Sequence, residues 1–255
     1  MEGTRLISKY SDFKEKDIGI LRFILKHGIV TSNQIMTYIG ETSIHNVYRR
    51  LRKLETAGLI WKKKLALTLN VYFPKRDARD FLDYPVTVAN DTSFYTAQHD
   101  LIINDLILHL KATVKVNPED FDYRTEREYR YELLEETEGR QEMLQKWNQI
   151  RDTIPDVVLF LPGYVIAVET ELNTKSAARI QKKIQRYANE IQNGKYTDVW
   201  YYVPNNSVGN ALNRGIEHVS KEWRNVGKSP LNEGGHDVFQ QIKVRPLPAE
   251  VKGDD

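Results

Sequence analysis

Three acidic residues stand at a spacing suited to holding a divalent cation: Asp156, Glu169 and Glu171, all within TIPDVVLFLPGYVIAVETEL. Two runs rich in β-branched residues flank Pro162-Gly163, a turn dipeptide, so the segment reads as a β-hairpin. If those two residues are the whole loop, Leu161 pairs with Tyr164, cross-strand partners sum to 325, and Asp156 faces Glu169. Strand alternation then puts Glu171 on the same face as Glu169. Directly opposed carboxylates lie about 4.5–5.5 Å apart and repel. A cation, a shared proton or a basic neighbour must offset that repulsion. A divalent metal held by carboxylates is the natural candidate, and it points to phosphodiester chemistry. The register hangs on the turn. Pro-Gly favours type II, whose twist suits a hairpin poorly, and a bulge or longer loop would shift the pairing by one.

The surrounding pattern predicts what positions these acids. After the hairpin, NTKSAARIQKKIQRYANEIQNG reads as a helix capped at Asn173 or Thr174 and ended by Gly194. Its apolar stripe is Ala177, Ile180, Ile184, Tyr187 and Ile191. Its other face carries Lys175, Arg179, Lys182, Lys183 and Arg186, of which Lys182 and Arg186 are expected to reach bound DNA. YTDVWYYVP reads as a buried strand, GNALNRGIEHVSKEW as a helix and HDVFQQIKVRPL as a last strand. Upstream, a broad apolar stripe predicts a helix from Ser93 to about Val114. YRTEREYRYELL, which holds Glu126 and Glu128, reads as a strand, and EETEGRQEMLQKWNQIRD as a polar, partly helical insertion. This order predicts an α/β domain around a mixed sheet over 92–248, with a tail at 249–255.

The N-terminal region differs in charge. Residues 1–80 hold 16 Lys and Arg against 8 Asp and Glu, whereas residues 81–255 hold 21 against 27. A basic third joined to an acidic remainder predicts two functional units, the first suited to a polyanion. Over 14–75 the pattern is three helices and a hairpin, with Gly28, Gly40 and Gly58 as stops. That order resembles a winged helix-turn-helix domain. The third helix keeps Ile44, Val47, Leu51 and Leu54 on one face, and His45, Asn46, Arg49, Arg50, Arg52 and Lys53 off it. Asn and Arg read base edges bidentately, and Arg and Lys neutralise phosphates. Lys62, Lys63 and Lys64 follow at the expected wing. Residues 76–91, with RDARDFLDY and NDTS, read as a connector.

The composition excludes several classes. There are no cysteines, so no disulfide framework, thiolate zinc site or cysteine nucleophile. No run of about 18 apolar residues predicts a membrane span. The N-terminus, MEGTRLISKYSDFKEKD, lacks the apolar core of a signal peptide, so a cytoplasmic protein is expected.

IPD on one strand, VETE on the next, then a basic helix and a hydrophobic strand resemble the core of the PD-(D/E)xK nuclease superfamily. The resemblance implies that Asp156, Glu169 and Glu171 bind Mg2+ or Mn2+, with Glu126 or Glu128 as the upstream acid. Glu171 stands where a lysine is expected, and Lys175 or Lys182 is the implied replacement. The chain over roughly residues 15–205 resembles the replication-relaxation family of plasmids and integrative elements, on Pro155-Asp156, Glu169, Glu171, Lys175 and Tyr187. This implies a role in plasmid replication, or in DNA relaxation during mobilisation. Its implied partners are double-stranded DNA, relaxosome or replication proteins, and a second copy of the chain. Two functions stay open: a metal-dependent DNA endonuclease or nickase, and a DNA-binding accessory protein or repressor with an inactive nuclease fold.

Overall fold

The structure is a computed structural model that describes residues 12–66, 68–88, 93–135, 140–150 and 153–251. Residues 89–91 of the expected connector and residue 92 after it, 136–139 and 151–152 of the expected insertion, and most of the expected tail (252–255) lie outside the described residues. The chain divides into two compact units, residues 1–108 with 127–144 and residues 109–126 with 145–255.

The first unit runs α1 (Glu15–His27), β1 (Val30–Thr31), α2 (Ser32–Tyr38), α3 (Ile44–Thr56), β2 (Ile60–Lys64) and β3 (Asn70–Pro74). Then come α4 (Arg76–Leu82) and most of α5 (Phe94–Thr113). Its antiparallel sheet has the order β1-β3-β2. The apolar faces of its helices form the core, with Ile20, Leu21 and Ile24 of α1 in one buried cluster with Val47, Leu51 and Leu54 of α3. The segment read as a connector contributes to that core as well: Ala78 is fully buried, with Phe81 and Leu82 packed against it. A capping box starts α2, in which the Thr31 hydroxyl accepts from the Gln34 amide and the Gln34 side chain accepts from the Thr31 amide. The Gln34 side-chain amide donates to the Leu101 carbonyl and to Asp105, both at 2.9 Å. Asn104 bridges the His27 ring at 2.6 Å and the Ile29 carbonyl at 2.7 Å. Burial pushes the His27 imidazole down to about 3 and the Asp105 carboxyl up to about 6.

The second unit is built on a five-stranded sheet, with β4 (Asp122–Thr125), β5 (Val157–Leu161), β6 (Tyr164–Thr170), β7 (Asp198–Val203) and β8 (Ile242–Pro246) in that order. β4, β5 and β6 are antiparallel neighbours, while β6, β7 and β8 run parallel. Parallel neighbours need crossovers, supplied by α8 (Ala177–Gln192) and α9 (Asn206–Asn225). In the chain, α6 (Glu126–Glu135) and α7 (Arg140–Ile150) come before β5; from Arg127 to Leu144 these helices belong to the first unit. The fold is therefore mixed α and β, as its element pattern predicts.

One element differs. YRTEREYRYELL is strand only to Thr125, and Glu126 begins a helix. Its alternating charges fit a period of two, but Glu, Arg and Leu are also strong helix formers. The Glu126 amide still bonds the Asp156 carbonyl, at 3.0 Å, in the register of β4 and β5. The last strand also starts later than HDVFQQIKVRPL suggests, at Ile242.

Candidate functional site

The hairpin closes as the two-residue reading requires. Leu161 pairs with Tyr164 and Val157 with Val168, so partners sum to 325 along the ladder. Gly163 takes φ 74°, the left-handed backbone that the position after proline needs in a type II turn. The paired ladder stops at Val157, one residue short of Asp156. Asp156 then turns its carboxylate to the backbone, and its Oδ2 accepts from the Thr170 amide at 2.7 Å. It is thereby fixed at the end of β6, beside the Glu126 amide that binds its carbonyl.

Glu169 is 3% exposed, so its charge needs partners. Its Oε2 accepts from the Lys183 ammonium at 2.8 Å and its Oε1 from the Tyr187 hydroxyl. The Arg186 guanidinium lies 3.9 Å from Oε1. Glu171, 8% exposed, has Lys175 at 3.2 Å. Burial presses the Lys183 ammonium down, but Glu169, Asp156 and Glu171 together outweigh it and hold its pKa above the ordinary lysine value. All three carboxylates therefore act on one lysine. A basic neighbour is one of the ways to offset repulsion between them, and Lys183 supplies it.

Helix α8 delivers that lysine. The Ser176 hydroxyl caps it by accepting from the Arg179 amide, so the cap is Ser176 rather than Asn173 or Thr174, and Lys175 precedes it. Lys183 stands three residues after Ile180 and four before Tyr187, beside the buried stripe. The basic run Lys182-Lys183 reads as an outward face; of the two, only Lys182 is exposed. The four-residue step from Lys183 to Tyr187 was the signal that separates the two. Arg186 also turns inward, donating to the Thr153 carbonyl and lying 3.6 Å from Glu190. Tyr201, paired with Glu169 across the parallel ladder, is fully buried with its hydroxyl unpartnered. Burial, and then the nearby Glu169, push both tyrosine hydroxyls well above their usual pKa.

Glu126 adjoins this centre through its amide, whereas Glu128 belongs to the other compact unit. There its carboxylate accepts from the Tyr84 hydroxyl at 2.8 Å and lies 3.6 Å from Lys26. Among the described residues no three Asp, Glu or His side chains are gathered into a metal-holding group. Asp156, Glu169 and Glu171 carry carboxylate oxygens, the donor type a hard cation takes, and the positive charge bonded to Glu169 is that of Lys183.

In the first unit the polar face of α3 divides in two. Arg50 and Lys53 turn to Asp17 of α1, at 2.6 and 3.1 Å, and Asp17 is 2% exposed. Burial alone would raise the Asp17 carboxyl, but the Lys14 amide, Arg50 and Lys53 outweigh it and hold it below the usual range. Asn46 donates to Glu41 at 3.4 Å. His45, Arg49 and Arg52 are exposed. On β2, Lys62 and Lys64 are exposed on one face, while Lys63 lies half-buried on the other. A groove of about 790 Å³ runs between α3 and the β2–β3 hairpin, lined by His45, Tyr48, Arg49, Arg52, Lys62 and Asn70 among others.

The sequence model of the replication-relaxation family matches residues 21–200, from α1 into β7, and the chain belongs to that family. No curated protein and no solved structure matches it. Membership ties the chain to DNA and to the replication or relaxation machinery of plasmids and other mobile elements. Among the described residues, no helix is long and apolar enough to cross a membrane.

Proposed function

We propose that this member of the replication-relaxation family binds duplex DNA through a winged helix-turn-helix and cuts or nicks it with a PD-(D/E)xK-like centre. The observation that carries the catalytic half is Lys183. The chain has Glu171 where the superfamily pattern has a lysine, and Lys183 brings an ammonium to the same carboxylates from the next helix. Asp156, Glu169 and Glu171 would hold Mg2+ or Mn2+, a cation that activates water and stabilises a leaving oxygen when bound. Lys183 would place positive charge on the scissile phosphate, and the Thr170 amide and Tyr187 fix the carboxylates in place. For DNA docking, the support is the element order α1-β1-α2-α3-β2-β3 with sheet order β1-β3-β2, together with exposed His45, Arg49, Arg52 and Lys62 along one groove. The test is conversion of supercoiled plasmid to open circle by the full chain with Mg2+ or Mn2+. Nicking that is lost in Asp156→Asn and with a chelator is expected; none under any metal would remove the catalytic half.

A second reading has its own support. Both Glu169 oxygens already have protein donors, as a closed ion-pair cluster in a non-catalytic replication or relaxation accessory protein would require. DNA binding without nicking is its signature.

A further inference from the structure

We propose that Tyr48 reads sequence for this chain: its ring meets the C5 methyl of a thymine in the major groove, so the bound site holds an A·T pair at one fixed position. The proposal rests on the DNA-docking reading above and goes beyond it in naming the base-reading residue and the group it reads. Ile44, Val47, Leu51 and Leu54 pack into the core of the first unit. The exposed stripe of α3 is then His45, Tyr48, Arg49, Arg52, Glu55 and Thr56, at the three- and four-residue steps of one helix face. Tyr48 is the aromatic member of that stripe and is 42% exposed. Its hydroxyl already has a neighbour in the protein, the Ser32 hydroxyl of α2 at 3.5 Å, so the ring is the part left for a partner.

The charges of the stripe orient it on a polyanion. Arg49 and Arg52, with Lys62 on the facing hairpin, put positive charge along the groove that Tyr48 lines. Glu55, exposed in the last turn of α3, is repelled by phosphate and keeps that end of the helix away from the backbone. The N-terminal half of α3 therefore meets the DNA, as recognition helices do, and Tyr48 lies in its second turn. Contacts to phosphate hold any duplex alike, whereas sequence is read from base edges. In an intact duplex the base faces are stacked on one another and closed to a ring. What the major groove offers an apolar group is the thymine C5 methyl, which the other three bases lack. Contact takes both that methyl and an exposed ring out of water.

The test starts with selection of a binding site by the full chain from duplexes with a random core. Each thymine of the selected site is then replaced by uracil, which lacks only the methyl. One such replacement should weaken wild-type binding about fourfold, the worth of one buried methyl group. Tyr48→Ala should bind the thymine and uracil forms alike, and Tyr48→Phe, which keeps the ring, should discriminate as the wild type does. A merely structural tyrosine would weaken both forms equally when lost, so a ratio that survives in Tyr48→Ala overturns the proposal. Wild-type binding that is indifferent to every thymine, or that enriches no sequence, overturns it and leaves the docking standing. Failure of the wild type to bind any duplex overturns the docking itself. A measurement on the wild type alone covers an alanine variant that binds too weakly for a ratio. 5-Bromouracil, whose bromine takes the place of the methyl, should crosslink under ultraviolet light to the peptide that contains Tyr48 when set at the sensitive thymine. A crosslink to another segment, or none, overturns the proposal.

Discussion

Tyr187 and Tyr201 stand edge to face with ring centroids 6.1 Å apart, yet only the Tyr187 hydroxyl is bonded, to Glu169. Two buried phenols of equal size thus carry opposite costs. Tyr187→Phe leaves a buried carboxylate short of a donor and should destabilise by about 1–3 kcal/mol. Tyr201→Phe removes a buried hydroxyl that has no partner and should be neutral or slightly stabilising. Urea unfolding of the two variants gives the comparison directly, and equal costs would mean that the Tyr187 bond contributes little.

The basic face of α3 should divide the same way in function as it does in structure. Arg49→Ala and Arg52→Ala should each weaken duplex binding and lower the salt dependence by about one counterion, leaving the melting curve unchanged. Arg50→Ala takes the 2.6 Å partner from buried Asp17 and should destabilise the fold by about 1–3 kcal/mol. Mobility shifts over a salt series, run beside urea melts, separate the two classes. A stability loss in Arg49→Ala would show that this division is wrong.

Asp105 makes a prediction in pH. Burial, partly offset by the Gln34 amide, raises its folded-state carboxyl from 3.8 to about 6. The folded state then holds a proton that the unfolded state releases, so stability falls as pH rises between these values. At pH 7 the ionised carboxylate is a net cost. Asp105→Asn, which still accepts from Gln34, should be more stable than wild type at pH 7 by about 1–2 kcal/mol. The gain should vanish near pH 4. A gain that is independent of pH would assign the effect to packing.

Gly215 of α9 tests how tightly α8 is held. A Cβ there would lie 2.5 Å from Ile180 Cγ2, nearer than side chains approach, and Ile180 is a branched residue with little room to turn. Gly215→Ala should cost about 1–3 kcal/mol despite the better helix propensity of alanine. Because Ile180 lies on the helix that carries Lys183 and Tyr187, fluorescence from Trp223, bonded to Gln185 of the same helix at 2.7 Å, should shift as well. An unperturbed spectrum with full stability would show that the two helices have slack between them.

The hairpin register was legible in the sequence because turn length and strand alternation depend on chain-local geometry. The helices were legible for the same reason, from their stripes and stop residues. What was not legible was commitment by contact. Arg50 and Arg49 are neighbours of identical type, and nothing local says that one is paired with Asp17 thirty-three residues away. Lys183 and Lys182 pose the same problem, solved only by which of them faces β6. Glu126 reads as strand because its alternating neighbours satisfy two periods at once; its amide still bonds the Asp156 carbonyl in the register of β4 and β5, while the residue already begins the helix.

The chain passes between its two compact units after Leu108, after Glu126 and after Leu144. Neither unit is a continuous stretch, so no single cut separates them. A break near residue 90 strands Asn104 and Asp105 on the wrong side, away from His27 and Gln34 that they bind. Recombination that splices one junction therefore cannot exchange the first unit for another while keeping the second. The two must be inherited, replaced and lost together.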